Sequence, residues 1–223
     1  AELLANNTAT IGLSQFEVAA GELEVTVDLH NSTGHKFPTG YPSRRTWIHL
    51  TILDRNGDSV FESGGWRPDG AIVGNDNDED ASAFEPHYDT ITNQNQVQIY
   101  ETILLNTDDE VTTTLLRGAS YVKDNRLLPQ GFNKLAVPTD IGVFGAALAD
   151  PNFDGVGDDI TYRIEVDPDL GPYTVEAELL YQSISYRWAD NLDPAGGSYI
   201  TDFLGFYEAV SNLPSVVARV ASP

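Results

Sequence analysis

One pattern constrains the fold before any other. From Glu22 to Leu29 the chain alternates strictly, with Leu23, Val25, Val27 and Leu29 set against Glu22, Glu24, Thr26 and Asp28. Successive side chains of an extended chain point to opposite faces, so this period marks a strand with one face in a core and one in water. The pattern recurs. Ile48, Leu50 and Ile52 share a face opposite Trp47, His49, Thr51 and Leu53; Ile160, Tyr162, Ile164 and Val166 share another, as do Val175, Ala177, Leu179 and Tyr181. Residues 96–105 and 110–116 read as further strands, and Asn56-Gly57 reads as the turn of a hairpin. Seven or more strands divided by Gly, Pro, Asn and Asp turns predict a mainly β fold: an antiparallel, immunoglobulin-like β-sandwich with long loops over 64–95 and 124–140. Helical signal is confined to 201–213, with Thr201 as the expected N-cap. Residues 1–223 are expected to form one domain, with 1–20 as an N-terminal arm.

Charge excludes some partners. Twelve Lys and Arg stand against 34 Asp and Glu, a formal net charge of −22. A nucleic-acid binder needs a basic face to displace counterions, so nucleic acid is not an expected partner. No apolar run approaches the roughly 20 residues that span a bilayer, so membrane insertion is not expected either. The chain has no Cys. It therefore has no disulfide, no thiolate nucleophile and no C-x-x-C-H attachment for covalent haem. It also has no Met, which removes a blue-copper site with a Met ligand.

The best local motif for an ion is "DPNFDGVGD". Asp150, Asn152, Asp154, the Val156 carbonyl and Asp158 follow the first nine positions of a calcium loop, with Gly155 at the sharp bend. Position 12 is Thr161 in place of the bidentate Glu, and a strand follows in place of a helix, so Asp159 or a distant carboxylate would have to close the shell. The same residues also favour a turn without metal. A second acidic cluster includes Asp76, Asp78 and Asp80, whose oxygens suit Ca²⁺ better than a transition metal. Calcium stabilisation is the expectation from both. His35 and His87 lie in loops beside Pro and aromatic residues, and His49 lies on a strand. A metal enzyme built from His35, Glu85 and His87 is the least supported alternative, since no nucleophile elbow, P-loop or third orienting group is evident. Trp47, Trp66 and Trp188 motivate another alternative, a carbohydrate or surface-ligand module. In the stretch "GHKFPTGYPSRR", Pro38 and Pro42 stiffen a corner, and His35, Arg44 and Arg45 are its expected contact groups.

Several blocks carry a resemblance: "TGHKFPTGYPSRRTWIHLTILDRNGDSVFESG", "FEPHYDTI", "QVQIYET", "YVKDNRLLPQGF" and "LLYQSISYRW". Together, from about Gly21 to Trp188, they resemble the cysteine-free β-domain at the C-terminal end of certain bacterial multihaem c-type cytochromes, and "GHKFPTG" is the most specific. The resemblance implies a non-catalytic accessory or docking module in the periplasm or outside the cell. Its implied partner is a multihaem electron-transfer region or subunit. The haem would lie in that partner, with His35 as the residue to reach a haem or the partner surface.

Overall fold

The computed structural model describes residues 7–192, 196–210 and 212–222. Its strands are β1 (Ala9–Ala19), β2 (Glu22–Asn31), β3 (Arg45–Leu53), β4 (Ser59–Ser63), β5 (Thr90–Ile91), β6 (Ile99–Tyr100), β7 (Thr102–Leu105), β8 (Val111–Thr112), β9 (Ser120–Asp124), β10 (Asp158–Glu165), β11 (Thr174–Gln182) and β12 (Ser215–Ala221). Its helices are α1 (Asp76–Glu79), α2 (Tyr186–Asp190) and α3 (Ser198–Ala209).

The alternating runs build a sandwich. One sheet has the order β1-β2-β10-β5; a second has β12-β11-β3-β4, with β6 also on β3; a small third sheet is β8-β7-β9. Leu23, Val25, Val27 and Leu29 of β2 and Ile160, Tyr162 and Ile164 of β10 pack in one buried cluster with Ile48, Leu50 and Ile52 of β3 and Val175, Ala177 and Leu179 of β11. These are the apolar phases read from the sequence. Side chains from two facing sheets filling one core is the packing of a β-sandwich. Among the described residues the strand pairings are antiparallel except one: β5 lies parallel to β10, with Thr90 opposite Thr161 and Ile91 opposite Tyr162. The other face of β3 sends Trp47 into a second cluster with Ile72, Val97, Ile99 and Leu180. The Asn56-Gly57 turn joins β3 to β4, with Gly57 at φ 84°.

Several boundaries differ from the sequence expectations. Residues 9–19, expected as an arm, form β1 along the edge of the first sheet. The run 96–105 breaks at Glu101, whose carboxylate binds the Lys123 ammonium at 3.0 Å and whose N–H donates to Asn125 Oδ1. β6 therefore joins β3, while β7 joins the third sheet. Within 110–116 only Val111–Thr112 is extended, and a 3₁₀ turn follows at Leu115–Arg117. The long segment 64–95 carries α1 and β5. The helix expected over 201–213 spans Ser198–Ala209 instead, with Gly197 at its N-cap. Thr201 sits inside it, and its hydroxyl donates back to the Gly197 carbonyl at 3.1 Å. That helix is followed by β12, which pairs with β11.

Candidate functional site

The phase of β10 determines the most unusual site. Asp158 opens that strand on the same face as Ile160, Tyr162 and Ile164, so alternation drives a carboxylate into the interior. The preceding loop holds it there. Asp150 Oδ1 accepts the Asn152 N–H at 3.0 Å, Asp154 Oδ1 accepts the Val156 N–H at 2.6 Å, and the His30 imidazole meets the Val156 carbonyl. Gly157 then passes so close to β2 that a Cβ there would sit 2.0 Å from the Leu29 carbonyl oxygen.

Three segments distant in sequence converge on the loop. His87 Nε2 lies 3.1 Å from Asp150 Oδ2 and 3.8 Å from Asp158 Oδ2. Tyr100 donates its hydroxyl to Asp158 Oδ2 at 2.6 Å, and Gln98 Nε2 reaches the same oxygen at 3.3 Å. Phe153 packs edge-on against the His87 ring at 4.9 Å. His87, Asp150 and Asp158 are all buried, and each offers one ligand atom, all within 4.8 Å of one another. Among the described residues this is the one group of three or more His, Asp or Glu side chains placed to hold a metal ion.

The hydrogen bonds assign the His87 tautomer. Its Nδ1 faces Gln98 Nε2 at 2.8 Å and Asn125 Nδ2 at 3.1 Å. Neither amide can be turned round. Gln98 Oε1 accepts the Tyr88 N–H, while Asn125 Oδ1 accepts the Glu101 N–H and Asn125 Nδ2 also donates to the Ile99 carbonyl. Nδ1 is thus an acceptor, and the ring proton sits on Nε2, where it donates to Asp150. Electrostatics separate the two carboxyls. Burial pushes Asp158 up to about 6, although His87 and Tyr100 oppose it. Burial alone would raise Asp150 too, but the His87 and Asn152 donors outweigh it and hold that carboxyl below its usual range. Burial and the Asp158 charge push the Tyr100 phenol well above its ordinary value.

Of the loop residues expected to bind an ion, Asp150 and Asp158 therefore come together. Asn152 points its Nδ2 at Asp89 Oδ1 and the Asp159 carbonyl, each at 3.2 Å. Asp159 falls on the opposite, exposed face of β10, directly across from Asp28 of β2. Burial and then the Asp28 charge raise its carboxyl. Asp154 is spent on its own turn. In the second acidic cluster the groups have protein partners. Asp78 is fully buried against Arg45, 2.9 Å away, and also accepts the Ile72 N–H; Asp80 accepts from Ser82; the Asp76 N–H donates to Glu85.

The "GHKFPTG" stretch is a held corner. Phe37 exchanges backbone hydrogen bonds with Leu127, and Lys36 Nζ lies 2.9 Å from Asp124, which also takes Arg126 at 2.7 Å. His35 stands exposed on this corner, with Nδ1 3.0 Å from the Lys36 carbonyl. Arg44 Nη1 donates to the Thr39 carbonyl at 2.8 Å. Arg45, expected as a contact group beside it, is a core residue at 1% exposure, because β3 turns it inward toward Asp78 and Gln182. Trp47 is wholly buried, with its Nε1–H on the Gly64 carbonyl, and Trp66 and Trp188 are half-buried. Glu85 is buried too, with its oxygens accepting the Asp76 and Val97 N–H groups.

No protein-family model matches the sequence, and no curated protein does. A solved structure does match in fold: a penta-heme cytochrome c552 from Thermochromatium tepidum, with a TM-score of 0.56 at 13% identity. The alignment covers 100% of this chain and 40% of that one. At that identity the likeness is one of fold.

The sequence reading missed His87 as a neighbour of Asp150 and Asp158, and it missed Gln98, Tyr100 and Asn125 altogether. One signal was present: Asp158 lies in phase with the buried face of β10, and a carboxylate on that face requires polar company from elsewhere in the fold.

Proposed function

We propose that this chain is a haem-free β-sandwich module that docks on, or is joined to, a multihaem electron-transfer cytochrome in the periplasm or outside the cell. One observation carries the reading: the whole chain superimposes on two-fifths of a penta-heme cytochrome, although it has no Cys with which to attach haem. Its role is accessory, to position a haem-bearing region. The corner around His35 is the contact surface in this reading. That corner is tied down by the Phe37–Leu127 backbone bonds and the Lys36–Asp124 pair, and the imidazole on it is exposed. The Lys36 carbonyl engages Nδ1 as an acceptor, which fixes the proton there and leaves the Nε2 lone pair to meet an iron or a partner donor.

The test is isolation of the protein from the cells that make it, under mild cross-linking, followed by haem staining and mass spectrometry of the same bands. The expected result is a haem-positive species containing this sequence, either as one longer polypeptide or as a cross-linked pair. A haem-negative 24.3 kDa species with no haem-bearing partner would refute it.

A further inference from the structure

The Asp150 and Asp158 carboxylates pose an electrostatic problem that their protein partners leave open. Both are buried, and their sole ion-pairing partner among the described residues is His87. The fixed amides of Gln98 and Asn125 occupy Nδ1 and leave the Nε2 proton to donate to Asp150, so His87 offers these carboxylates one hydrogen bond. The neighbouring ammonium, Lys134, is directed at the Ala147 and Asp150 carbonyls. Asp28, Asp154 and Asp159 add further negative charge nearby. Two carboxylates this close, out of water, need a proton or a cation between them.

A second observation points to the cation. Asp158 Oδ1 is buried and has no hydrogen-bond partner, and the same is true of Asn152 Oδ1. Buried acceptors without donors are rare because each costs the full desolvation of the group. Asp158 belongs to the cluster that holds Asp150, and Asn152 lies in the same loop with its N–H on Asp150 Oδ1. We propose that Asp150, Asn152 and Asp158 form a Ca²⁺ site completed by water, and that His87 is a positioning residue for it and not a ligand. The tautomer decides the class of ion. A metal-bound histidine donates from its other ring nitrogen to a carbonyl or carboxylate. Here that nitrogen receives two amide donors, so His87 has no lone pair left on Nε2. What remains is an all-oxygen donor set, suited to a hard cation and not to zinc or copper. The site does not depend on any association with a cytochrome.

The test uses the full chain freed of metal with a chelator. Calorimetric titration with CaCl₂ should show one ion bound per chain. Asp158→Asn and Asp150→Asn should each weaken that binding at least tenfold while the far-UV circular dichroism stays that of the wild type. Should either variant fail to fold, the wild type still decides. In ¹⁵N NMR, Ca²⁺ should shift the amides of 150–158 and leave those of 76–80 in place. The His87 ring nitrogens should report the Nε2–H tautomer with and without the ion. Absence of saturable Ca²⁺ binding at 10 mM, which lies above the roughly 10⁻⁴–10⁻³ M range of extracellular calcium modules, would overturn the proposal. So would binding unaffected by both substitutions, or a switch of His87 to the Nδ1–H form when metal is added.

Discussion

Replacing Arg45 by Met should be among the most damaging single changes to this fold. The side chain is 1% exposed, and its guanidinium makes contacts on all sides. Nη1 lies 3.0 Å from Asp78 Oδ1 and 2.9 Å from Oδ2; Nε donates to Gln182 Oε1 at 2.8 Å; Nη2 donates to the Gly70 carbonyl at 3.0 Å. Methionine keeps the length and removes the charge. The Gly70 carbonyl keeps a donor in Gln182 Nε2, and Asp78 keeps the Ile72 N–H. The dominant loss is therefore the uncompensated Asp78 charge in the interior, which costs about 3–5 kcal/mol when one partner of a buried pair is removed. For a chain of this size that lowers the melting temperature by about 10 °C, at roughly 2–4 °C per kcal/mol. The assay is equilibrium urea unfolding at pH 7, followed by tryptophan fluorescence, for wild type, Arg45→Met, Asp78→Asn and the double variant. Because Asp78→Asn removes the stranded charge, the double variant should be more stable than Arg45→Met alone. A loss below about 1 kcal/mol for Arg45→Met, or a double variant no more stable than it, would refute the claim that charge pairing and not side-chain volume holds this layer.

Other outcomes follow from the same geometry. Tyr100→Phe keeps the ring and removes the hydroxyl on Asp158, so it should cost about 1–3 kcal/mol in urea unfolding. Gly157→Ala forces a Cβ against the Leu29 carbonyl and should destabilise by about 1–3 kcal/mol or more, with loss of Ca²⁺ binding, since it displaces the start of β10. Burial would raise the Asp124 carboxyl, but Arg126 and Lys36 outweigh it and hold it below its usual range. Its contribution is therefore fully present above the unfolded value of about 3.9 and is lost as pH falls through the lower folded value; thermal melts in chelator from pH 5 to 2 should fall less steeply for Asp124→Asn than for wild type. His35→Ala should leave the melting temperature within about 1 °C, as expected for an exposed side chain, yet weaken cross-linking to a haem-bearing partner.

Much of the sandwich was readable because its four central strands alternate, each with one face in the shared core. β2, β10 and β11 alternate through most of their length, β3 also buries Trp47 on its second face, and the apolar phases of all four are the ones that pack. β1 was not readable, for a local reason. Its register slips between Ser14 and Glu17, with Gln15 at φ 50°, so the apolar phase moves from Ile11 and Leu13 to Phe16 and Val18. β12 buries only Val217 fully, which leaves little pattern to see. At the candidate site the loop 150–158 was legible through its Asp and Gly spacing. Its partners were not, because His87, Gln98 and Asn125 arrive from separate segments and depend on tertiary pairing. Arg44 and Arg45 looked equivalent in sequence; only the start of β3 sends one inward and leaves the other at the corner.

The order of strands in the two sheets also sets when the chain can fold. β2 pairs with β10, and β3 pairs with β11. The centre of each sheet thus joins an early segment to one more than a hundred residues later. Such distant pairings make folding slow, because the entropy of closing the loop is spent before the core rewards it. On the ribosome, the first half of this polypeptide offers β2 only β1, and β3 only β4 and β6. The first sheet stays incomplete until β10 has emerged and the second until β11 has, so the core between them stays open through most of synthesis, exposed to proteases and aggregation until the last strands arrive.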